Sequence, residues 1–258
     1  DCGLTSREIF HLEALPKQLT IVGGGYIGSE FSNIFSTLGC QVNLVERSPL
    51  ILQGFDRSIR ETLQQSLMNQ GVRVLGGTSL EAIHKTETET KLTLSGDCND
   101  TLIADNLLLA LGRVPNLDGL NLEAAGVAVE NGAIAVDDYS RTSQPNIFAI
   151  GDCTNRVPLT PVAIAEGKAA AATLFTDRPQ KVSYRWIPSA VFCYPEAATV
   201  GWSEDQVKEK EIDYEVYCDR FTPLHYALSP QAVETLIKLV VDSQSRQILG
   251  VHMVGDGV

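Results

Sequence analysis

The run QLTIVGGGYIGSE at residues 18–30 constrains this chain more than any other feature. Gln18 to Val22 reads as a short buried strand. Gly23, Gly25 and Gly28 follow as G-x-G-x-x-G. Apolar residues at Ile27, Phe31, Ile34, Phe35 and Leu38 then recur at helical spacing, and Gly39 suits the helix stop. A strand, a glycine turn and a helix in this order form the opening of a dinucleotide-binding unit. Gly23 permits the tight turn, Gly25 lets the backbone approach a pyrophosphate, and Gly28 lets helix pack close to strand. The first helical residues, Tyr26 and Ile27, present free N–H groups and the positive end of the helix dipole to the phosphates. The alternative is a plain strand–helix turn. Glu46, 18 positions after Gly28 and at the end of the next strand, argues against it.

Glu46 can accept hydrogen bonds from the ribose hydroxyls of NAD and would repel a 2′-phosphate. Arg47 beside it can pair with such a phosphate. The two residues pull toward NAD and NADP respectively. The acidic position is the more direct determinant and favours NAD.

The alternation continues with a helix capped by Asp56 and ending near Asn69, then the strand GVRVL. Parallel pairing with right-handed crossovers is expected. Residues 79–103 read as short antiparallel strands, and NLLLALG as a further strand before the turn GRVPN. AIAVD and NIFAIGD read as two short strands. Thr160 to Phe175 is an Ala-rich helix with Pro161 in its first turn. From about Ser183 strands dominate: AVFCY, AATVGW, DYEVYC, TLIKLVV and ILGVHMVG, with one helix over 203–210. Strands grouped after a βαβ part indicate a separate α+β domain.

Composition excludes several classes. The chain has 258 residues and a net charge of −12, with no basic run, so nucleic acid is not an expected partner. No apolar stretch approaches the roughly 18 residues of a membrane span, and DCGLTSREIF is not a signal peptide. A cytoplasmic location is expected. Six cysteines are scattered without metal-ligand or redox spacing and read as small buried hydrophobes, Cys40 and Cys193 most clearly.

Five stretches carry a resemblance: IVGGGYIGSEF, ILQGFD, LLLALGRVPN, TSQPNIFAIGDCTNRVPLTPVA and AVFCYPEAATVGWSE. Spread over almost the whole chain, they resemble the pyridine nucleotide-disulfide oxidoreductases, flavoproteins that include glutathione reductase, dihydrolipoamide dehydrogenase and mercuric reductase. The resemblance implies an α/β fold in three parts. These are a Rossmann-like NAD(P)-binding domain over 1–113, the second half of an FAD-binding domain over 114–182, and the start of an α+β dimerisation domain over 183–258.

It also implies FAD and NAD or NADP as cofactors, a disulfide substrate and a homodimer when full length. Tyr26 matches the residue that shields the flavin until the nicotinamide displaces it, and Glu30 a carboxylate near the flavin. Gly112 matches a backbone contact to the dinucleotide, and Arg113 lies at a domain seam. Gly151 and Asp152 match the family's ribitol-binding turn. Leu159, Thr160 and Pro161 open the helix that faces the flavin's pyrimidine end, whose dipole favours the charge of the reduced ring. The segments GDCTNRVPLTPVA and FTPLHYAL resemble the glutathione reductase version. Lys168 falls where an Arg often meets a glutathione carboxylate, and glutathione disulfide is the expected substrate. Lys keeps that charge without the bidentate fork. Gln53 stands where a second basic residue commonly meets NADPH.

Departures from the family pattern carry equal weight. The C-x-x-x-x-C redox centre is not in this sequence, and none of His11, His84, His225 and His252 sits in an H-P-T motif. The chain is expected to be an internal fragment without catalytic residues of its own and unable to complete dithiol chemistry. Alternatives are a dihydrolipoamide dehydrogenase-like or mercuric reductase-like enzyme, or a non-catalytic nucleotide-binding module.

Overall fold

The computed structural model describes residues 3–86, 89–229 and 233–258. Residues up to Gly112 together with Pro188–Val258 form one compact unit, and Arg113–Ile187 a second. Cys2 lies outside the described residues, as do two positions of the 79–103 segment.

In the first unit, β1 (Gln18–Val22) leads into α1 (Tyr26–Thr37), β2 (Gln41–Val45), α2 (Arg57–Asn69) and β3 (Arg73–Leu75). An excursion of β4 (Thr78–Lys85), β5 (Thr90–Gly96) and β6 (Thr101–Ala104) follows, then β7 (Asn106–Leu109). The strands β3-β2-β1-β7 form a parallel sheet, whereas β4-β5-β6 pair antiparallel. Leu19, Ile21, Leu44 and Leu108 are fully buried, as strands covered on both faces require. Each such side chain contributes about 1.5–3 kcal/mol relative to exposure. The sheet sets where the glycine turn stands: β1 is flanked by β2 and β7, so its C-terminal end opens between theirs.

In the second unit, β8 (Val129–Glu130) and β9 (Ala133–Ile134) form a two-residue hairpin, and α3 (Thr160–Phe175) packs with a 3₁₀ turn over Gly151–Thr154. Its core is small: Val127, Ile134 and Ala149, with Leu117, Leu122 and Ile147 against them. The strand expected over NIFAIGD reduces to one bridge, Arg141 with Phe148. The turn at Gln144–Ile147 and the positive φ of Gly151 (+72°) leave too few extended residues between them for a ladder. AIAVD likewise pairs only at Ala133–Ile134.

The remainder of the first unit is β10 (Ser189–Val191), β11 (Glu196–Gly201), α4 (Glu204–Glu209), β12 (Tyr214–Phe221), β13 (Thr235–Asp242) and β14 (Ile248–Gly255). The strands form an antiparallel sheet in the order β10-β11-β14-β13-β12. Val191, Cys193, Ala197, Leu236 and Val254 share one core with Leu19, Ile21 and Leu63. A buried ion pair joins the two parts of that unit. Asp56 caps α2 by accepting the Ser58 N–H at 2.9 Å, and the Lys238 ammonium on β13 donates to both its oxygens at 2.9 and 3.0 Å. Lys238 also meets Glu204 at 2.8 Å. Burial alone would raise the Asp56 pKa, but the Glu204 N–H, Lys238 and the Ser58 N–H together hold it below the usual carboxylate range. Lys238, helped by Lys208, holds Glu204 down at about 2.

Candidate functional site

Around the end of β1 lies a cleft of about 530 Å³. Gly23 and Gly25 form its floor with Val22. Glu46, Arg47 and Gln53 stand on one side, Ala110 to Gly112 on another, and Thr78 to Leu80 close a third. The three glycines have different surroundings. Gly23 sits at φ +106°, where a Cβ would fall 2.4 Å from the Ala110 carbonyl oxygen. At Gly28 a Cβ would fall 1.8 Å from the Gly23 carbonyl oxygen, so α1 meets the turn backbone to backbone. A Cβ on Gly25 would meet no protein atom within 4 Å. The space beside Gly25 therefore belongs to the cleft. Gly25 is also the N-cap of α1 and offers no side chain to the helix's first N–H groups, among them those of Tyr26 and Ile27.

Glu46 follows β2 directly and folds onto the turn. Its carboxylate accepts the Gly24 N–H at 2.6 Å and the Ser48 N–H at 2.9 Å. Its backbone carbonyl accepts the Thr78 N–H, which brings the start of β4 to the cleft. The ILQGF segment is anchored from below. Leu52 N–H donates to the Gly24 carbonyl at 2.7 Å, and the Arg60 guanidinium donates to the carbonyls of Leu50 and Ile51 at 2.8 Å. With Ile51 and Leu52 buried, Gln53 is turned to the surface on the cleft rim. Arg47 is exposed beside it.

The other residues singled out from the first motif lie on α1 and after β7. Tyr26 is exposed and Glu30 half-buried. Burial raises the Glu30 pKa, against the pull of the Phe192 N–H that its carboxylate accepts at 2.9 Å. Gly112 lines the cleft at φ +122°, and Arg113 begins the second unit, exposed.

In the second unit Gly151 is buried and Asp152 exposed on the 3₁₀ turn. The α3 N-terminus follows, with Leu159 as an N-cap without a side-chain bond and Pro161, which has no N–H, in its first turn. The Val162 and Ala163 N–H groups donate to the Leu159 carbonyl at 3.0 Å, and the positive end of the helix dipole faces outward uncapped. Thr160 and Lys168 are exposed on that helix. An exposed carboxylate on a glycine turn and an uncapped helix N-terminus, carried by one small unit, suit a polyhydroxyl chain and an electron-rich ring respectively. Among the described residues no group of three or more His, Cys, Asp and Glu side chains could hold a metal ion. Cys40, Cys98, Cys153, Cys193 and Cys218 are all free thiols, and burial pushes Cys193 up to about 12.

Sequence reasoning missed Thr78, Ser79 and Leu80, which no local pattern marks, because β4 is brought to the cleft by backbone bonds from Gly77 to Ser48 and from Thr78 to Glu46. It also missed Glu166, which is buried in the Ala-rich helix. A signal for Glu166 was present: it shares the inward stripe of Val162, Ala169 and Ala170.

Among the described residues no helix is long and apolar enough to cross a membrane. Comparison with known proteins places the chain. It is 43% identical to a glutathione reductase of Nostoc sp. over 98% of its own length and 58% of that protein. It is 41% identical to a chloroplastic/mitochondrial glutathione reductase of Pisum sativum and 39% identical to a trypanothione reductase of Leishmania donovani. Each of those matches covers 98% of this chain, and 46% and 52% of the relative respectively. The chain thus spans about half the length of these relatives. Its fold superposes on the HOCl-induced flavoprotein disulfide reductase RclA of Escherichia coli with a TM-score of 0.89 and 28% identity, covering 99% of this chain and 59% of that one. Residues 2–167 match the pyridine nucleotide-disulphide oxidoreductase family and residues 187–258 match that family's dimerisation domain. With both signatures present in one chain and the glycine cleft built as described, the protein belongs to the pyridine nucleotide-disulphide oxidoreductase family.

Proposed function

We propose that the protein is part of an FAD-dependent disulfide reductase that takes its electrons from NADH or NADPH and acts on glutathione disulfide. The observation that carries the reading is the empty space at Gly25. A helix N-terminus with open N–H groups faces a cleft beside a glycine that no protein contact requires, and a dinucleotide pyrophosphate fits both features. Glu46, Arg47 and Gln53 then border the adenosine ribose, while Tyr26 and Glu30 stand further along α1 on the side of the nicotinamide. FAD would be held by Asp152 and the α3 N-terminus, through Leu159, Thr160 and Pro161. When bound it would supply the relay that passes a hydride's electrons on to a disulfide.

In this proposal the chain divides by role at 1–113, 114–182 and 183–258. The last part contributes to a homodimer, as the match to a dimerisation domain supports. The names of the relatives support a glutathione-type substrate. Lys168, exposed on α3, gives a substrate carboxylate a positive partner. A cytoplasmic location completes the proposal, although one relative is named as chloroplastic/mitochondrial. Steady-state kcat/KM of the full-length flavoprotein that contains this chain, with glutathione disulfide, trypanothione disulfide, lipoamide and mercuric ion, tests it. Glutathione disulfide should lead by tenfold or more, on the order of 1.4 kcal/mol. An equal or better rate with one of the others would replace the substrate assignment.

A further inference from the structure

Glu166 is 2% exposed in the middle of α3, and a carboxylate so far from water needs strong partners. It has two. Oε2 accepts the Gly151 N–H at 2.6 Å, and Oε1 accepts the Tyr184 hydroxyl at 2.5 Å. Arg156 backs the second contact by donating from Nη1 to the Tyr184 oxygen at 2.9 Å. Its Nη2 donates to the Val136 carbonyl at 3.0 Å and to the Asp137 carbonyl. No cation touches the carboxylate directly among the described residues.

The Gly151 contact is the informative one. Gly151 is buried at φ +72°, and its peptide immediately precedes the exposed Asp152. The Thr154 hydroxyl donates to the Gly151 carbonyl at 2.8 Å, so both polar groups of Gly151 are fixed. A Cβ on Gly151 would lie 3.1 Å from the Ala163 Cβ, so the turn rests against the first turn of α3. Glu166 therefore acts as a strut inside one unit, with one end in the helix and the other under the turn.

We propose that Glu166 is a positioning residue for the flavin: it locks the turn bearing Asp152 to α3, so that the carboxylate and the helix N-terminus are presented in a fixed relation to FAD. The inference rests on the flavin reading of Asp152 and α3 given under Proposed function. A residue that merely filled the core would be replaced without loss by any side chain of similar bulk. A strut depends on an acceptor oxygen at the position of Oε2.

The test uses the flavin-loaded holoenzyme and measures FAD affinity together with hydrogen exchange at the Gly151 amide. Glu166→Ala should weaken FAD binding about ten- to hundredfold, the range for a lost hydrogen bond to a charged group, and should speed exchange at Gly151. Glu166→Gln retains an acceptor for that amide and should stay within about threefold of the parent, whereas Glu166→Leu, equally bulky, should behave like Ala. Tyr184→Phe removes the hydroxyl that steadies Oε1 and so loosens the strut from its far end. It should cost FAD affinity about three- to tenfold and speed exchange at Gly151, and it serves if the Ala and Leu variants do not fold. Unchanged FAD affinity in Glu166→Ala, or in Tyr184→Phe if the former does not fold, overturns the proposal. Asp152→Ala measured in parallel separates the two levels. If it loses FAD while Glu166→Ala does not, the strut fails and the site stands; if it also keeps FAD, the flavin reading itself fails.

Discussion

The Glu46 carboxylate accepts the Gly24 N–H at 2.6 Å, tying the end of the second strand of the parallel sheet to the glycine turn after the first. With the Ser48 N–H at 2.9 Å on its other oxygen, the side chain is held at the rim of the cleft, where the proposed function puts the adenosine ribose. In the proposed function this carboxylate stands beside the position of a 2′-phosphate. An unfavourable contact of this kind costs on the order of 1–3 kcal/mol. Glu46→Ala should therefore raise the NADPH-to-NADH ratio of kcat/KM about tenfold or more, whereas Arg47→Ala should weaken NADPH more than NADH. Steady-state kinetics with both cofactors decide it. A ratio unmoved by Glu46→Ala would make that carboxylate a brace for the turn and nothing more.

Gly28→Ala should damage the fold as well as the site. Its Cβ would lie 1.8 Å from a backbone oxygen that cannot swing away. Overpacking of this type costs about 1–3 kcal/mol. Denaturant unfolding should show a lowered midpoint, with dinucleotide binding reduced in the same variant.

Acid should release the buried pair of Asp56 and Lys238. Both Asp56 and Glu204 have pKa values below their ordinary ones, the latter at about 2. Their contribution to stability is present above the unfolded-state pKa near 4 and is lost as pH falls through the folded-state values. Stability followed by circular dichroism should thus decline from about pH 4 toward pH 2. Lys238→Met, which strands the Asp56 charge, should cost about 3–5 kcal/mol at neutral pH. Asp56→Asn combined with Lys238→Met keeps a capping side chain and removes the stranded charge, so it should cost less than the Lys238 change alone. A double variant less stable than Lys238→Met would show that the pair is not the unit that matters.

Lys168 offers a positive charge on an exposed helix face. Its removal should act on substrate binding with little effect on turnover. An exposed ion pair is worth up to about 1 kcal/mol, so Lys168→Ala should raise the KM for glutathione disulfide up to about fivefold. Lys168→Arg should lower it by adding a bidentate fork. An unchanged KM in both variants would remove Lys168 from the substrate site.

Much of this was legible in the sequence because the signals were local. The strand before Gly23, the helix after Gly25 and the capping Asp56 each depend on a few neighbouring residues, and all three lie where the pattern puts them. NIFAIGD was misread because its apolar residues have strand composition, while the turns at Gln144 and Gly151 leave only Phe148 paired. Thr78 to Leu80 were invisible for another reason: they reach the cleft through backbone bonds from Gly77 to Ser48 and from Thr78 to Glu46, and backbone bonds leave no trace in composition. Lys238 and Asp56, 182 positions apart, could not be paired from sequence at all.

The assignment of the cleft at Gly25 is tested most directly by titration calorimetry of Gly25→Val with NADH and NADPH. A side chain at position 25 meets no protein atom within 4 Å of its Cβ, and the backbone there is ordinary extended chain, so the variant should fold, with only the small loss in melting temperature that a poorer N-cap of α1 brings. It should nevertheless show no dinucleotide binding where the parent binds, because the added methyl groups fill the pyrophosphate space. Equal affinity in the variant and the parent would contradict the assignment of the cleft.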